Sequence, residues 1–249
     1  MGGEASEESI WSRARRQQST TQTTRARRAT SVLSMERIAV AAVHIADRDG
    51  VDAVSMRRIA TDLGSGTMSL YRHVRTKDEL LDLMIDTVVG EEHARSEPPS
   101  GNWRADLREM ARVHRETAHR HPWLPRLQAS RPCIGPNVLA STEASLTAVA
   151  GLGLSIDDMI RMIRTVTAFV QGYAQVELAE RELWAPSGPG EEPQGHARTA
   201  AYLKELGDSG EYPQFTRMVT EAGGDADPDT DFAWQLERVL DGLAAAVVT

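Results

Sequence analysis

The segment from Ala53 to Leu81, AVSMRRIATDLGSGTMSLYRHVRTKDELL, constrains the fold of this chain more than any other part of it. It contains two short helical patterns separated by Leu63-Gly64-Ser65-Gly66, and a third helix opens at Thr76. A short helix, a tight glycine turn and a second short polar helix form the pattern of a helix-turn-helix. The segment also carries five basic side chains: Arg57, Arg58, Arg72, Arg75 and Lys77.

The basic residues are concentrated at the N-terminal end of a chain whose net charge is −8. Residues 1–33 contain six Arg and three Glu, and residues 53–77 contain five basic residues against one acid, Asp62. Residues 91–249 contain 15 basic and 24 acidic residues. This distribution predicts one DNA-facing end on an acidic body, and it argues against non-specific coating of nucleic acid or anionic membrane.

Cysteine content and hydropathy exclude several classes of protein. With Cys133 as the only cysteine, the chain has no internal disulfide framework, which fits a reducing cytoplasm. No apolar run is long enough to span a bilayer, so no membrane association is expected. The N-terminus lacks the apolar core of a signal peptide, and residues 1–33 are predicted to form a mobile Arg/Ser/Thr-rich arm. Entry of this arm into a minor groove is the alternative.

Capping residues divide the N-terminal region into helices. Ser34 can cap a first helix that ends at Asp49-Gly50, and Ser55 can cap the second helix. The residues Thr76-Lys77-Asp78-Glu79 form a capping box, which opens a linking helix over 77–89. These capping residues therefore predict a small N-terminal domain of three or four helices.

The remainder of the chain is also predicted to be helical. Apolar spacing predicts helices at 103–117, 136–149, 155–184 and 229–248, with weaker ones at 198–207 and 213–222. The Pro/Gly-rich stretch 185–197 is predicted to be a mobile loop. The predicted fold is all-α, with an N-terminal three-helix helix-turn-helix domain and a larger helical ligand-binding and dimerisation domain at 82–249.

The second helix of the motif presents side chains that suit a major groove. Leu70 and Val74 are predicted to point into the domain core, while their neighbours point outwards. Arg72 can bind guanine through two hydrogen bonds, and Lys77 can contact a phosphate. A solvated charged surface is the alternative. The predicted DNA contacts are Arg57, Thr67, Met68, Ser69, Tyr71, Arg72, His73 and Lys77.

These residues resemble the DNA-binding domain of the tetracycline-repressor (TetR) family of bacterial regulators. The matching pieces are Ala41-Ala42, Asp49-Gly50, Ser55 to Ala60, Leu63-Gly64, Leu70-Tyr71-Arg72-His73-Val74 and Lys77 to Leu81. The resemblance covers residues 34–81 without a gap and so gives the predicted bounds of the DNA-binding domain. The resemblance implies DNA contacts at the residues named above. It also implies a homodimer bound to a pseudo-palindromic double-stranded operator.

The C-terminal half is more weakly similar to the ligand-binding and dimerisation domain of the same family, and the matching residues are Trp103, His121-Pro122-Trp123, Gly151, Leu154-Ser155, Gly172-Tyr173 and Leu236 to Leu243. Tetracycline–magnesium sensors of that family carry a His just before an Arg-Pro pair, whereas Ala129 and Ser130 precede Arg131-Pro132 here. A metal-bound tetracycline is therefore not the expected effector, and neither a metal nor a cofactor is predicted.

An apolar cavity between helices is the expected effector site. His114 lies on an apolar helical face, where it is a core histidine, a pocket residue or, least favoured, a metal ligand. Phe169 and Tyr173 share a second face, which lines either the core or the pocket. The candidate ligand-binding residues are Met110, His114, Phe169, Tyr173 and Glu177.

The predicted function is a ligand-responsive transcriptional regulator in the cytoplasm. A repressor that a small-molecule effector releases from its operator is favoured, and an activator of the same fold is the alternative. An enzyme is disfavoured because the chain has no glycine-rich phosphate loop and no nucleophile elbow. An assembly protein would leave the basic helix-turn-helix unexplained.

Overall fold

A computed structural model of the chain describes residues 9–21, 33–183, 202–203, 205–207, 209–221 and 227–247. Within these ranges the secondary structure is helical and no β-strand occurs, which confirms the predicted all-α class. The predicted loop at 185–197 lies outside the described residues. The α-helices are α1 (Ile10–Thr21), α2 (Met35–Asp49), α3 (Met56–Asp62), α4 (Thr67–Tyr71), α5 (Lys77–Arg95), α6 (Trp103–Arg120), α7 (Leu124–Ser130), α8 (Pro136–Val149), α9 (Ile156–Leu183), α10 (Pro213–Glu221) and α11 (Pro228–Val247).

The helices of the N-terminal region begin at the predicted capping residues. The side chains of Ser34, Ser55 and Thr76 accept hydrogen bonds from the first-turn amides of α2, α3 and α5. Gly64 turns the chain between α3 and α4 with a φ of 60°, a left-handed conformation that favours glycine. Ile38, Ile45, Ile59, Leu70 and Val74 are essentially inaccessible to solvent and form the core that holds these helices together.

The N-terminal region differs from the predicted mobile arm. Residues 10–21 form α1, and Ile10 is only 3% exposed, within the same core as α2 and α5. The guanidinium of Arg13 donates a hydrogen bond of 2.6 Å to Glu79 of α5. Since the Arg/Ser/Thr-rich composition conceals this anchor, the prediction is wrong for α1. The rest of the arm, 1–8 and 22–32, lies outside the described residues.

Three aspartates, spaced one helical turn apart, join α5 to the segment between α7 and α8. Arg131 binds Asp82 at 2.9 Å and Asp78 at 3.0 Å. The buried carboxylate of Asp86 accepts hydrogen bonds from the backbone amides of Asn137 and Val138 at 2.9 and 3.0 Å. These amides are the unpaired donors at the start of α8, so Asp86 caps that helix from another element. Burial raises the pKa of Asp86, and the amide hydrogen bonds only partly offset this effect.

The helices α5 and α8 pack closely around the Asp86 contact because positions 90 and 135 are glycine. A Cβ at Gly135 would collide with the Asp86 carboxylate, and a Cβ at Gly90 would lie 2.7 Å from the Asn137 side chain. In addition, α5 extends to Arg95, beyond the predicted end at residue 89, and α7 occupies a stretch with no predicted helix. The sequence therefore conceals how closely α5 and α8 approach each other.

The chain divides into two compact units, residues 1–171 and 172–249. The domain boundary after residue 81 stays a prediction; α5, which begins at Lys77, packs on both α2 and α8 within the first unit. In the second unit, Phe232, Leu236 and Ala174 are buried, and the Tyr173 ring meets Phe232 edge-on at 5.1 Å.

We expect Gly135→Ala to lower the free energy of unfolding by about 2 kcal/mol, because the added methyl group must displace the Asp86 carboxylate. The matched control is Gly151→Ala, where no atom of the described residues lies within 4 Å of the added Cβ. Urea unfolding followed by circular dichroism measures both variants. Equal stability of the two variants would contradict this description of the joint.

Candidate nucleic-acid interface and effector cavity

The α4 helix presents an exposed face whose position is fixed by buried neighbours. Leu70 and Val74 have no accessible surface, whereas Met68 is 76% and Tyr71 43% exposed. Arg72, at the C-terminal end of α4, is also exposed. These three side chains are thus available to base edges and phosphates while the backbone is held by the core.

The other predicted contacts from this helix are less accessible. Thr67, Ser69 and His73 are each partly buried. Nδ1 of His73 is buried with no hydrogen-bond partner in the described part of the chain, so only Nε2 of the ring can reach DNA. His73 can therefore form fewer hydrogen bonds to DNA than a fully exposed imidazole.

The adjacent arginines of α3 occupy different environments. Arg58 forms an ion pair with Asp49, which also binds Arg48. Arg57 is exposed, and its carbonyl oxygen accepts a hydrogen bond from the Thr61 hydroxyl at 3.0 Å. The charge of Arg57 is therefore the better placed of the two for a DNA phosphate or base.

Lys77 is exposed at the first residue of α5, where backbone amides and the helix dipole favour a phosphate. The nearby carboxylate of Glu79 would oppose this attraction. However, Glu79 accepts hydrogen bonds from the Arg75 amide at 2.7 Å and from Arg13 at 2.6 Å. The expected capping-box bond from Glu79 to Thr76 is thus replaced by a bond to Arg75, and Arg13 balances the negative charge.

A cavity of about 280 Å³ lies in the first unit, on the side of α5 that faces α8. Its walls combine aliphatic side chains with hydroxyl, amide and charged groups. They are formed by Ile85, Val89, His114, Gln128, Arg131, Pro132, Cys133, Val138, Ser141, Thr142, Ser145, Ile163, Thr167 and Gln171.

His114 is held in the cavity wall by a buried carboxylate. Its Nε2 lies 2.7 Å from Oε1 of Glu92, a residue that is only 4% exposed. Its Nδ1 is buried without a hydrogen-bond partner among the described residues. Burial of the imidazole lowers its pKa, but the charge and hydrogen bond of Glu92 outweigh burial, and the net shift is upward. A protonated His114 would offer Nδ1–H to a ligand oxygen.

The other predicted ligand residues are not brought together around this cavity. Met110 lies behind the wall, where its sulfur is 3.5 Å from the Ser145 hydroxyl. Phe169 is partly buried but does not line the cavity. Tyr173 and Glu177 belong to the second unit, where the Tyr173 hydroxyl donates to Asp231 at 3.0 Å. Shared helical faces indicated which residues are buried, but not what they face.

The sequence prediction missed Glu92 and the segment from Arg131 to Cys133. The Arg-Pro pair in an irregular stretch was the available signal, since such stretches line sites more often than they fill cores. Burial raises the pKa of the Cys133 thiol to about 11, and its sulfur lies 3.5 Å from the Asp82 carbonyl oxygen. Cys133 is therefore a wall residue and a poor nucleophile.

The described ranges contain no cluster of three or more His, Cys, Asp or Glu side chains placed to hold a metal ion. Among the helices of those ranges, none is individually long and apolar enough to span a membrane.

An exposed basic helix-turn-helix attached to a helical domain with an internal cavity defines a class of DNA-binding regulators. Residues 38–84 match the model of bacterial regulatory proteins of the tetR family, and residues 95–247 match the tetracyclin repressor-like C-terminal domain. The chain belongs to the TetR family of transcriptional regulators. The predicted resemblance and class of function are confirmed.

Named relatives agree with this assignment. The chain is 38% identical over 216 residues to the HTH-type transcriptional repressor DrrR1 of Streptomyces coeruleorubidus, covering 86% of this chain and 78% of DrrR1. It is 29% identical over 206 residues to the class A tetracycline repressor from transposon 1721 of Escherichia coli, covering 82% and 87% of the two chains.

Solved structures show the same architecture. The TetR family protein ActR of Streptomyces coelicolor in complex with actinorhodin matches with a TM-score of 0.68 and 30% identity. The match covers 87% of this chain and 99% of ActR. ActR in complex with (S)-DNPA also has a TM-score of 0.68, at 29% identity, with the same coverage.

We expect Arg72→Ala and Lys77→Ala to weaken DNA binding in different ways. Loss of Arg72 should cost about 1–3 kcal/mol and relax specificity at one base position. Loss of Lys77 should weaken binding to all sequences and reduce the salt dependence by about one phosphate contact per protomer. Fluorescence anisotropy with operator and scrambled duplexes at several salt concentrations separates the two effects. Unchanged affinity in both variants would refute the assigned interface.

The raised pKa of His114 predicts a pH-dependent contribution of Glu92 to stability. A raised histidine pKa contributes stability fully below the unfolded value, about 6.5, and loses that contribution as pH rises through the folded value. The difference in Tm between the native chain and Glu92→Gln should therefore shrink from pH 6 to pH 9.

The matched control for this titration is Glu109→Gln. Glu109 binds Arg112 on the surface of α6, and hydrogen bonding to that guanidinium lowers the pKa of Glu109. Its contribution should therefore stay constant between pH 6 and pH 9. Parallel curves for native chain and Glu92→Gln over this range would contradict the His114–Glu92 account.

Proposed function

We propose that the protein is a homodimeric repressor that binds a pseudo-palindromic operator and is released from it by a small-molecule effector in the cavity. The observation that carries this proposal is that α5 presents Lys77 at one end and forms part of the cavity wall with Ile85 and Val89. An activator would use the same parts with the opposite consequence for transcription. A bacterial regulator acts where its DNA operator is, so the proposed site of action is the cytoplasm.

The cavity suits an effector that is partly apolar and rich in oxygen. His114 and Arg131 provide hydrogen-bond donors for carbonyl, phenolate or carboxylate oxygens, and Ser141 and Thr142 provide hydroxyls. Aliphatic side chains cover the remaining surface, as is usual in pockets for small molecules. The ActR complexes with actinorhodin and (S)-DNPA support a small-molecule effector in a protein of this architecture.

Release of DNA follows from the bonds of the cavity wall to α5. Arg131 lines the cavity and also binds Asp78 and Asp82, and Asp78 is the residue next to Lys77. An effector that draws Arg131 towards itself would weaken these bonds and permit α5 to move. The effector would then favour a conformation in which the exposed face of α4 no longer fits the operator.

The second unit provides a surface for the homodimer. Gly172, Val176, Ala179 and Leu183 form an exposed stripe along α9, and Val176 and Leu183 are 57% and 67% exposed. On α11, Trp234 is 60% exposed, although other residues of the same helix are buried. Exposed apolar side chains at helical spacing suit a four-helix interface between two copies of these helices.

We expect Val176→Glu to shift the protein towards monomer and to reduce operator affinity. An operator with two half-sites binds a dimer more tightly than a monomer with one DNA-binding domain. The matched control is Leu139→Glu, on α8, where the native side chain is 51% exposed. Analytical ultracentrifugation gives the oligomeric state. Anisotropy on a duplex that the protein selects from a random-sequence pool gives the affinity.

This experiment also tests the proposed function as a whole. Failure of the native chain to enrich any DNA sequence would contradict DNA-binding regulation. A native chain that sediments as a monomer at micromolar concentration would contradict the homodimer.

A further inference from the structure

The α1 helix is a docked part of the DNA-binding end of the molecule. Ile10 is buried in the core of the helix-turn-helix, and Trp11 and Ala14 pack against that core. Arg13 is 8% exposed and forms its 2.6 Å ion pair with Glu79, a pair shielded from solvent on both sides. An apolar anchor and a mostly buried ion pair together hold α1 in one place.

The ion pair places α1 beside the predicted phosphate contact of α5. Glu79 lies two residues after Lys77 and also binds the backbone amide of Arg75. The segment from Arg75 to Glu79 follows α4, the second helix of the helix-turn-helix, after the three residues 72–74. A helix attached to Glu79 is therefore adjacent to the part of the domain that meets the DNA backbone.

The composition of α1 matches this location. Its sequence, IWSRARRQQSTT, contains three arginines and no acidic residue. Arg13 forms the ion pair with Glu79, and the side chains of Arg15 and Arg16 are exposed on the surface of α1. The match to the family model begins at residue 38, so α1 is a feature of this chain outside that match.

We propose that α1 is a second DNA-contacting element, in which Arg15 and Arg16 bind backbone phosphates next to the contact of Lys77. The proposal rests on the DNA-binding function proposed above. Phosphate contacts by arginine carry little sequence information, so α1 increases affinity for any duplex and its effect depends strongly on salt. A dimer would add four such contacts, two from each protomer.

The test is the salt dependence of binding to a duplex that the native chain selects from a random-sequence pool. For Arg15→Ala/Arg16→Ala, the slope of log affinity against log salt should decrease in magnitude by about 3 to 4, because each lost phosphate contact removes about 0.9. Arg15→Lys/Arg16→Lys should retain most of the native slope, since lysine also binds phosphate as a point charge.

Two controls separate this proposal from its alternatives. Arg161→Ala/Arg164→Ala removes the same charge from exposed positions of α9 and should leave the slope close to native. If the slope decreases equally in both double-alanine variants, the effect is due to net charge alone, which would overturn the proposal. A native slope in Arg15→Ala/Arg16→Ala, with the native circular dichroism spectrum, would also overturn it.

Lys77→Ala distinguishes failure of the α1 proposal from failure of the proposed function. If Lys77→Ala lowers the slope and Arg15→Ala/Arg16→Ala does not, the helix-turn-helix binds DNA and only the role of α1 is wrong. If the native chain selects no duplex, the proposed function itself is wrong.

Discussion

The buried contact between Asp86 and the start of α8 is the constraint on which the rest of the first unit depends. A carboxylate placed in a core is unfavourable unless its oxygens are hydrogen-bonded, and here two backbone amides and the Asn137 side chain bind it. The contact requires glycine at positions 90 and 135, where a Cβ would crowd Asn137 or Asp86. Together with Asp78 and Asp82, it fixes one face of α5 along the segment that leads into α8. The cavity and the DNA-binding end are therefore built on the same helix.

This arrangement explains how a site in the helical domain can influence DNA binding. The wall segment that contains Arg131 and Cys133 bonds to the N-terminal half of α5, close to Lys77. In the proposed function, a change at the wall would reach the proposed phosphate contact of Lys77 through Arg131 and its ion pairs with Asp82 and Asp78. For coupling to occur, an effector must bind the two conformations of α5 with different affinity. The charged and polar groups of the wall could produce this difference by contacting the effector in one conformation and not in the other.

Local signals in the sequence predicted the helix-turn-helix, whereas contacts between distant residues escaped it. Ser34, Ser55, Thr76 and Gly64 act within a few residues of themselves, so their roles could be inferred from spacing alone. The partners in Asp86–Asn137 and Glu92–His114 lie 51 and 22 residues apart, and no local pattern marks such pairs. Composition was misleading for α1, because its arginines and serines hid the anchor formed by Ile10 and Arg13. Helical spacing indicated that His114 and Phe169 are partly buried, but only the fold shows that His114 lines the cavity and Phe169 does not.

The most direct test of the coupling between cavity and DNA uses Cys133, the only cysteine of the chain, as an attachment point. Benzyl methanethiosulfonate, which forms a disulfide with the Cys133 thiolate and releases methanesulfinate, would place an aromatic group in the cavity as a substitute effector. Burial raises the pKa of this thiol and slows the reaction, so a mildly alkaline buffer and long incubation are used. The account predicts that the modified protein binds its operator about tenfold or more weakly, a typical allosteric coupling. Treated Cys133→Ser protein and a Cys133→Ser/Leu139→Cys variant labelled on α8 should bind normally. Native operator affinity in a fully modified and cooperatively folded protein would contradict the account.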